Sequence, residues 1–189
     1  MMTERDWLAH YFERYREGLF ETDQKSQLIE LKELFVKTQK AGKKVIFLGN
    51  GGSAAMASHC AVDFTKNAGI RCINFNEADL ITCFANDYGY EKAFEYALRF
   101  YADPGDVAVL ISSSGKSQNM VNAAAYANGA DLMTVTFTGF KPSNPLKQLG
   151  KLNFHLESEA YNVIEMVHHI WLLAVCDLII GEAEYPAQP

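Results

Sequence analysis

Apolar positions along the chain change their period near residue 43. Before it they recur at helical spacing: Trp7, Leu8, Tyr11, Phe12, Tyr15 and Leu19 form one stripe, and Leu28, Leu31, Leu34 and Phe35 form another. The stripes predict two helices over residues 3–41, with Thr22-Asp23 between them as a cap. Aromatic residues this dense on an amino-terminal helix point to packing, and a second copy of the chain is the expected partner. After residue 43, short apolar runs alternate with helical segments. Lys44–Leu48, Arg71–Phe75, Val107–Ser112, Leu132–Phe137 and Leu152–Leu156 read as strands; segments 53–66, 91–101, 117–128, 144–149 and 161–180 read as helices. Runs such as Val107 to Ile111, apolar on both faces, suit strands covered on both sides. Regular βα alternation predicts an α/β fold, a three-layer α/β/α sandwich around a five-stranded parallel sheet, preceded by two N-terminal helices.

Composition narrows the partners more than the fold. A chain of 189 residues predicts a single domain, with residues 1–42 as a helical, oligomerising segment, 43–181 as the α/β core and 182–189 as a loose tail. The net charge of −6 gives no electrostatic footprint for direct nucleic-acid binding. Charges in Met1-Met-Thr-Glu-Arg-Asp6 take the place of a signal peptide's apolar core. The apolar stretch Val167–Ile180 reads as too short to span a bilayer and contains His168, His169 and Asp177. A cytoplasmic protein with no membrane partner is the expectation. Cys60, Cys72, Cys83 and Cys176 are scattered with no metal-binding spacing, and read as reduced and structural.

The chemistry concentrates where strands end. Gly49-Asn-Gly-Gly-Ser53 follows the first strand and opens a helix, so its glycines let backbone N–H groups approach an anion at the helix's positive end. Ser112-Ser-Ser-Gly-Lys-Ser117 follows Val107–Ile111, and its hydroxyls and amides can donate several bonds to phosphate oxygens, with Ser117 suited to a helix N-cap. Neither turn matches a dinucleotide or Walker loop, so no nucleotide cofactor is expected. A third loop, Phe84-Ala-Asn-Asp-Tyr-Gly-Tyr90, offers Asp87 to accept bonds from sugar hydroxyls, although Asp-Tyr-Gly also reads as plain turn chemistry. On the helix after the first turn, Met56, His59 and Asp63 share one stripe, and His59 and Asp63, four apart, can share a hydrogen bond or a metal ion.

These motifs, from Gly49 to Ala55, Ala85 to Tyr90 and Ile111 to Ser117, resemble the sugar isomerase (SIS) domain family, and within it the phosphoheptose isomerases. The resemblance runs from about residue 25 to 181. It implies a sheet of flavodoxin type and a homo-oligomer, typically a tetramer, with active sites between subunits. The implied reaction converts sedoheptulose 7-phosphate into D-glycero-D-manno-heptose 7-phosphate through an enediol. By the same resemblance Ser112, Ser113, Ser114 and Ser117 hold the phosphate, while Asn50, Gly51, Gly52, Ser53 and Asp87 contact the sugar. The family carries His and Glu on the helix after the first turn, as metal ligand and base; here they are His59 and Asp63, one methylene shorter. On the last helix Glu165 stands where a metal-binding Gln is usual, and Leu173 where a second catalytic His is usual. His168, three residues beyond Glu165, is an alternative proton carrier. The implied set is therefore His59, Asp63 and Glu165, as catalytic residues and as ligands for zinc. Three readings stay open: an isomerase with this rearranged set, a relative acting on another phosphorylated sugar, or a binding protein of the regulator or replication-initiator-associating kind that keeps the phosphate turns without the chemistry.

Overall fold

The computed structural model describes residues 2–185. Of the expected loose tail, 182–185 follow the last helix and the remainder lies outside the described residues. The first helix, α1 (Glu4–Arg16), begins at a capping box in which the Thr3 hydroxyl accepts the Asp6 N–H and the Asp6 carboxylate answers the Thr3 backbone. None of its residues is buried in the single chain. A π-turn at Glu17–Glu21 ends it, and α2 (Lys25–Lys40) follows. The N-cap of α2 is Gln24 rather than Thr22-Asp23, because Asp23 turns its carboxylate to the Lys25 N–H instead of the helix's deeper amides.

Strands β1 (Val45–Gly49), β2 (Cys72–Asn74), β3 (Val107–Ser112), β4 (Met133–Thr138) and β5 (Leu152–His155) form one all-parallel sheet in the order 2-1-3-4-5. Between them run α3 (Gly52–Lys66), α4 (Ala78–Tyr88), α5 (Ala93–Tyr101), α6 (Gln118–Gly129) and α7 (Pro145–Leu149), and α8 (Tyr161–Ile180) closes the fold. Side-chain alternation builds two cores. Val45, Phe47, Val107, Val109 and Ile111 face the layer of α2, α3 and α8, while Ile46, Leu48, Ala108 and Leu110 face α5, α6 and α7. Burial on both faces explains the continuous apolar runs.

Two expectations change. Residues 84–88, expected in a loop, are the end of helix α4 (Ala78–Tyr88), and the turn signal at Asp87 belongs to its Gly89 C-cap. The closing segment Tyr161–Ile180 is long and apolar enough to cross a membrane, contrary to the shorter stretch read from the sequence. Its apolar residues Val163, Ile164, Val167, Trp171, Leu172 and Val175 instead fill the core beside α2 and α3.

Candidate functional site

Strand order reverses between β1 and β3, and in such sheets the carboxyl ends at the reversal form the ligand crevice. Both motif-bearing turns sit there. The first closes with the Ser53 N–H on the Asn50 carbonyl, 3.0 Å apart, and launches α3. The second closes with the Gly115 N–H on the Ser112 carbonyl, also 3.0 Å apart, and launches α6. Between them lies a cavity of about 160 Å³, walled by Asn50 and Ser53, by Ser112, Ser113, Ser114 and Ser117, and by Tyr161 and Glu165 of α8. Two helix N-termini and a row of hydroxyls give it a donor-rich lining suited to an anion. A wider groove of about 470 Å³ beside Met2, Trp7 and Leu8 has no comparable polar set.

The serine turn is held from below. Gly115 has φ +63°, and a Cβ there would overlap the amide of Asn144. Asn144, nearly fully buried, donates to the carbonyls of Gly139 and Lys141 and accepts the Lys147 N–H, while the Leu146 N–H reaches the Gly115 carbonyl and the Gly139 N–H reaches that of Ser113. The β4–α7 unit thus clamps the turn's backbone and makes no bond to its hydroxyls. Ser113 is 5% exposed, and its Oγ has no protein partner, so a polar ligand is what would satisfy it. Ser117 occupies the N-cap position of α6 but makes no side-chain cap bond, contrary to expectation, and its hydroxyl remains available in the cavity wall.

Glu165 leans across the start of α3. A Cβ on Gly52 would overlap its carboxylate, so the glycine is required there for close approach. Burial holds the Glu165 carboxyl above the usual carboxylate range. Gly52 shapes this contact, and neither it nor Gly51, the N-cap of α3, lines the cavity. Further along the α3–α8 seam, His59 Nε2 lies 3.1 Å from an Asp63 oxygen, and the His59 ring meets the His169 ring edge-on at 4.8 Å between centroids. Burial, with His59 alongside, pushes the His169 imidazole down, and its Nε2 is buried without a partner.

The structure therefore gathers Asn50, Ser53, the four serines and Glu165 around one cavity, and places His59 and Asp63 together but outside it. Gly52 and His59 are separated by seven residues, roughly 10 Å of helix rise, so the pocket-facing Glu165 does not join His59 and Asp63. Among the described residues no group of three or more His, Cys, Asp or Glu side chains is placed to hold a metal ion. The expected zinc trio His59, Asp63 and Glu165 does not fit a metal centre within one chain. Asp87 ends up in the last turn of α4, accepting from Asn86 Nδ2, and away from the cavity. His168 is fully buried, donates from Nε2 to the Thr138 carbonyl at 3.1 Å, and is driven down to about 3 by burial; it is a core histidine, not a proton carrier. Leu173 remains an apolar residue of α8. Burial raises the Cys60 thiol and pushes Cys72 and Cys176 up to about 12, leaving all three inert.

Sequence reasoning passed over Tyr161 and Asn119, and left Tyr90 and His169 without a role. Tyr90 OH donates to Asn50 Oδ1 at 2.8 Å, and Asn119 exchanges two amide hydrogen bonds with Asn50. The available signals were an aromatic just after the Gly89 cap and an asparagine in the first turn of the helix behind the serines.

With this geometry in place, comparison with known proteins is decisive. A model of the SIS domain matches residues 9–139. The chain belongs to the SIS domain family. Relatives of this SIS chain include the phosphoheptose isomerase of Akkermansia muciniphila, 34% identical over 77% of this chain and 79% of that protein. The phosphoheptose isomerase of Helicobacter pylori is 29% identical over 94% of both chains. Among solved structures, the phosphoheptose isomerase of Neisseria gonorrhoeae superposes with a TM-score of 0.86 at 25% identity, covering 95% of this chain and 100% of that one.

Proposed function

We propose that this SIS domain chain is a phosphoheptose isomerase, taking sedoheptulose 7-phosphate to D-glycero-D-manno-heptose 7-phosphate through an enediol. The observation that carries the reading is the cavity at the β1/β3 reversal, where the serine turn and the Gly49–Ser53 turn face the Glu165 carboxylate. Relatives bearing that name over most of the chain support it.

In this reading Ser112, Ser113, Ser114 and Ser117 bind the phosphate with hydroxyls and turn amides, aided by the N-terminus of α6. Asn50 and Ser53 orient the sugar so that its carbon chain runs along the α3–α8 seam. A base removes a proton from C1 of the ring-opened ketose. The electron pair forms the C1–C2 double bond of the enediol as the C2 oxygen takes up a proton. Return of a proton to C2 and loss of the O1 proton yield the aldose. Asp63 and Glu165 are the candidate bases. Glu165, desolvated and raised, would be raised further by a bound phosphate, which favours it as the proton carrier near neutral pH. His59, oriented by Asp63, polarises the carbonyl. No step is routed through a metal, because one chain does not assemble the ligands.

The chain is further proposed to act in the cytosol as a homo-oligomer, a tetramer by family likeness. Trp7, Phe12 and Phe20 are 55%, 64% and 76% exposed on one chain, and a partner copy would cover them. A second reading, a non-catalytic sugar-phosphate binder, is favoured by one feature: the Asp63 carboxylate is already engaged with His59. The test incubates purified protein with sedoheptulose 7-phosphate, with and without Zn²⁺, and follows the aldose by NMR. Conversion supports the isomerase; saturable phosphate-dependent binding without conversion supports the binder.

A further inference from the structure

We propose that Asn119, assisted by Tyr90, is a positioning residue that commits Asn50 to act as a hydrogen-bond donor toward an oxygen of the sugar. The inference rests on the sugar-phosphate reading above and assigns the polarity of one contact within it.

The reasoning follows amide orientation through three segments. Asn119 sits in the first turn of α6, is 2% exposed, and its Oδ1 accepts the backbone N–H of Met120 at 3.0 Å. A backbone N–H can only donate, so this bond fixes which end of the Asn119 amide is oxygen. Its Nδ2 must then face Asn50, where it donates to Oδ1 at 2.9 Å, while Asn50 Nδ2 donates back to Asn119 Oδ1 at 3.0 Å. Tyr90, on the 3₁₀ turn after α4, donates its hydroxyl to the same Asn50 Oδ1 at 2.8 Å. Both lone pairs of Asn50 Oδ1 are therefore used, and one of its two Nδ2 hydrogens is used. Its unspent capacity is a single N–H. Asn50 lines the cavity, so what it offers a ligand is donation to a lone-pair oxygen, whether hydroxyl, carbonyl or the enediol oxygen that gains charge during isomerisation. The bonds span 40 and 69 residues of sequence, so the device also ties the β1 turn to the β3 turn.

The test is isosteric. Asn119→Asp keeps the bonds from Met120 N–H and Asn50 Nδ2 but sets a carboxylate oxygen against Asn50 Oδ1, which expels or inverts the Asn50 amide. Calorimetry on the full chain should show affinity for sedoheptulose 7-phosphate falling about tenfold or more, the loss expected for one well-placed hydrogen bond. Affinity for inorganic phosphate should stay within about twofold, since the serine turn is untouched. In the second comparison, at half-buried Asn50, Asn50→Asp should bind the sugar phosphate more weakly than Asn50→Ala, because it opposes acceptor to acceptor. Unchanged sugar-phosphate affinity in Asn119→Asp overturns the proposal, as does equal loss for inorganic phosphate, or Asn50→Asp binding at least as well as Asn50→Ala. These are binding measurements. Wild-type protein that binds sedoheptulose 7-phosphate without converting it counts against the isomerase alone; wild-type protein that does not bind it overturns both.

Discussion

At its start the seam between α3 and α8 is enclosed, with Glu165 pressed against Gly52 and the serine turn fixed from behind by the β4–α7 unit. Two turns further on, His59, Asp63 and His169 meet on a half-open surface, where the His59 side chain is 49% exposed and its Nε2 lies 3.1 Å from an Asp63 oxygen. The first end is held by backbone bonds from several segments and tolerates little change. The second is held by one pair bond and one ring contact. The cavity is thus built into a single chain's packing. His59 and Asp63 lie where a substrate or neighbouring subunit must complete the surroundings, whereas Glu165, the favoured base, belongs to the enclosed end.

The largest expected effect separates the two ends. If Glu165 is the base, Glu165→Gln lowers kcat by about 10²–10⁴ and Asp63→Asn by far less; the reverse ranking puts the base at the open end. Steady-state kinetics on both variants decides which. Next comes stability against acid. His168 is neutral in the fold and titrates at about 3, against 6.5 for a free imidazole. The unfolded chain therefore takes up a proton that the native chain refuses. Stability is fully present above pH 6.5 and declines as pH falls toward about 3, with a contribution to the slope of up to about 1.4 kcal/mol per pH unit. Urea midpoints measured from pH 7 to pH 4 should show this decline, and His168→Gln should flatten it.

Smaller effects test the enclosed end. Ser113→Ala should weaken phosphate-dependent binding by roughly 5- to 30-fold with little change in thermal midpoint, since its hydroxyl has no protein partner to lose. Equal affinity in calorimetry would reduce the serine row to a turn. Ser114→Ala belongs to the same test, with a smaller effect, because its Oγ already accepts the Lys116 N–H. Smallest of all, Thr3→Ala removes the cap of α1 and should cost about 0.5–1 kcal/mol of helix stability without touching binding.

Which parts were legible follows from how local their causes are. β1 and β3 were readable because burial on both faces leaves an uninterrupted apolar run, and the turns because glycine and serine clusters at strand ends have few other uses. α4 was missed although Leu80, Ile81, Phe84 and Tyr88 recur at helical spacing, because Asn86-Asp87 and the Gly89 cap imitate a turn. Asp87 was placed in a loop for the same reason, while the side chain that does reach the site, Tyr90, lies just past the cap. Asn119 and His169 act through partners 69 and 110 residues distant, which no local pattern encodes. The zinc trio does not meet within one chain, a matter of depth along a helix. The family resemblance grouped Glu165 with His59 and Asp63, but packing within one chain sets it opposite Gly52.

The support that Asn144 gives the serine turn has a thermodynamic reach beyond the cavity. Its bonds to Gly139, Lys141 and Lys147 brace the segment between β4 and α7. That segment holds the serine turn through Leu146 N–H on the Gly115 carbonyl and Gly139 N–H on that of Ser113, and it leads into the sheet's edge strand β5. Edge units are where proteins open most readily in local excursions, and any excursion that releases α7 also slackens the turn. A ligand that binds only the assembled turn must therefore suppress that opening by mass action. Amides of α7 should exchange with deuterium more slowly when phosphate is bound, although none of them touches it.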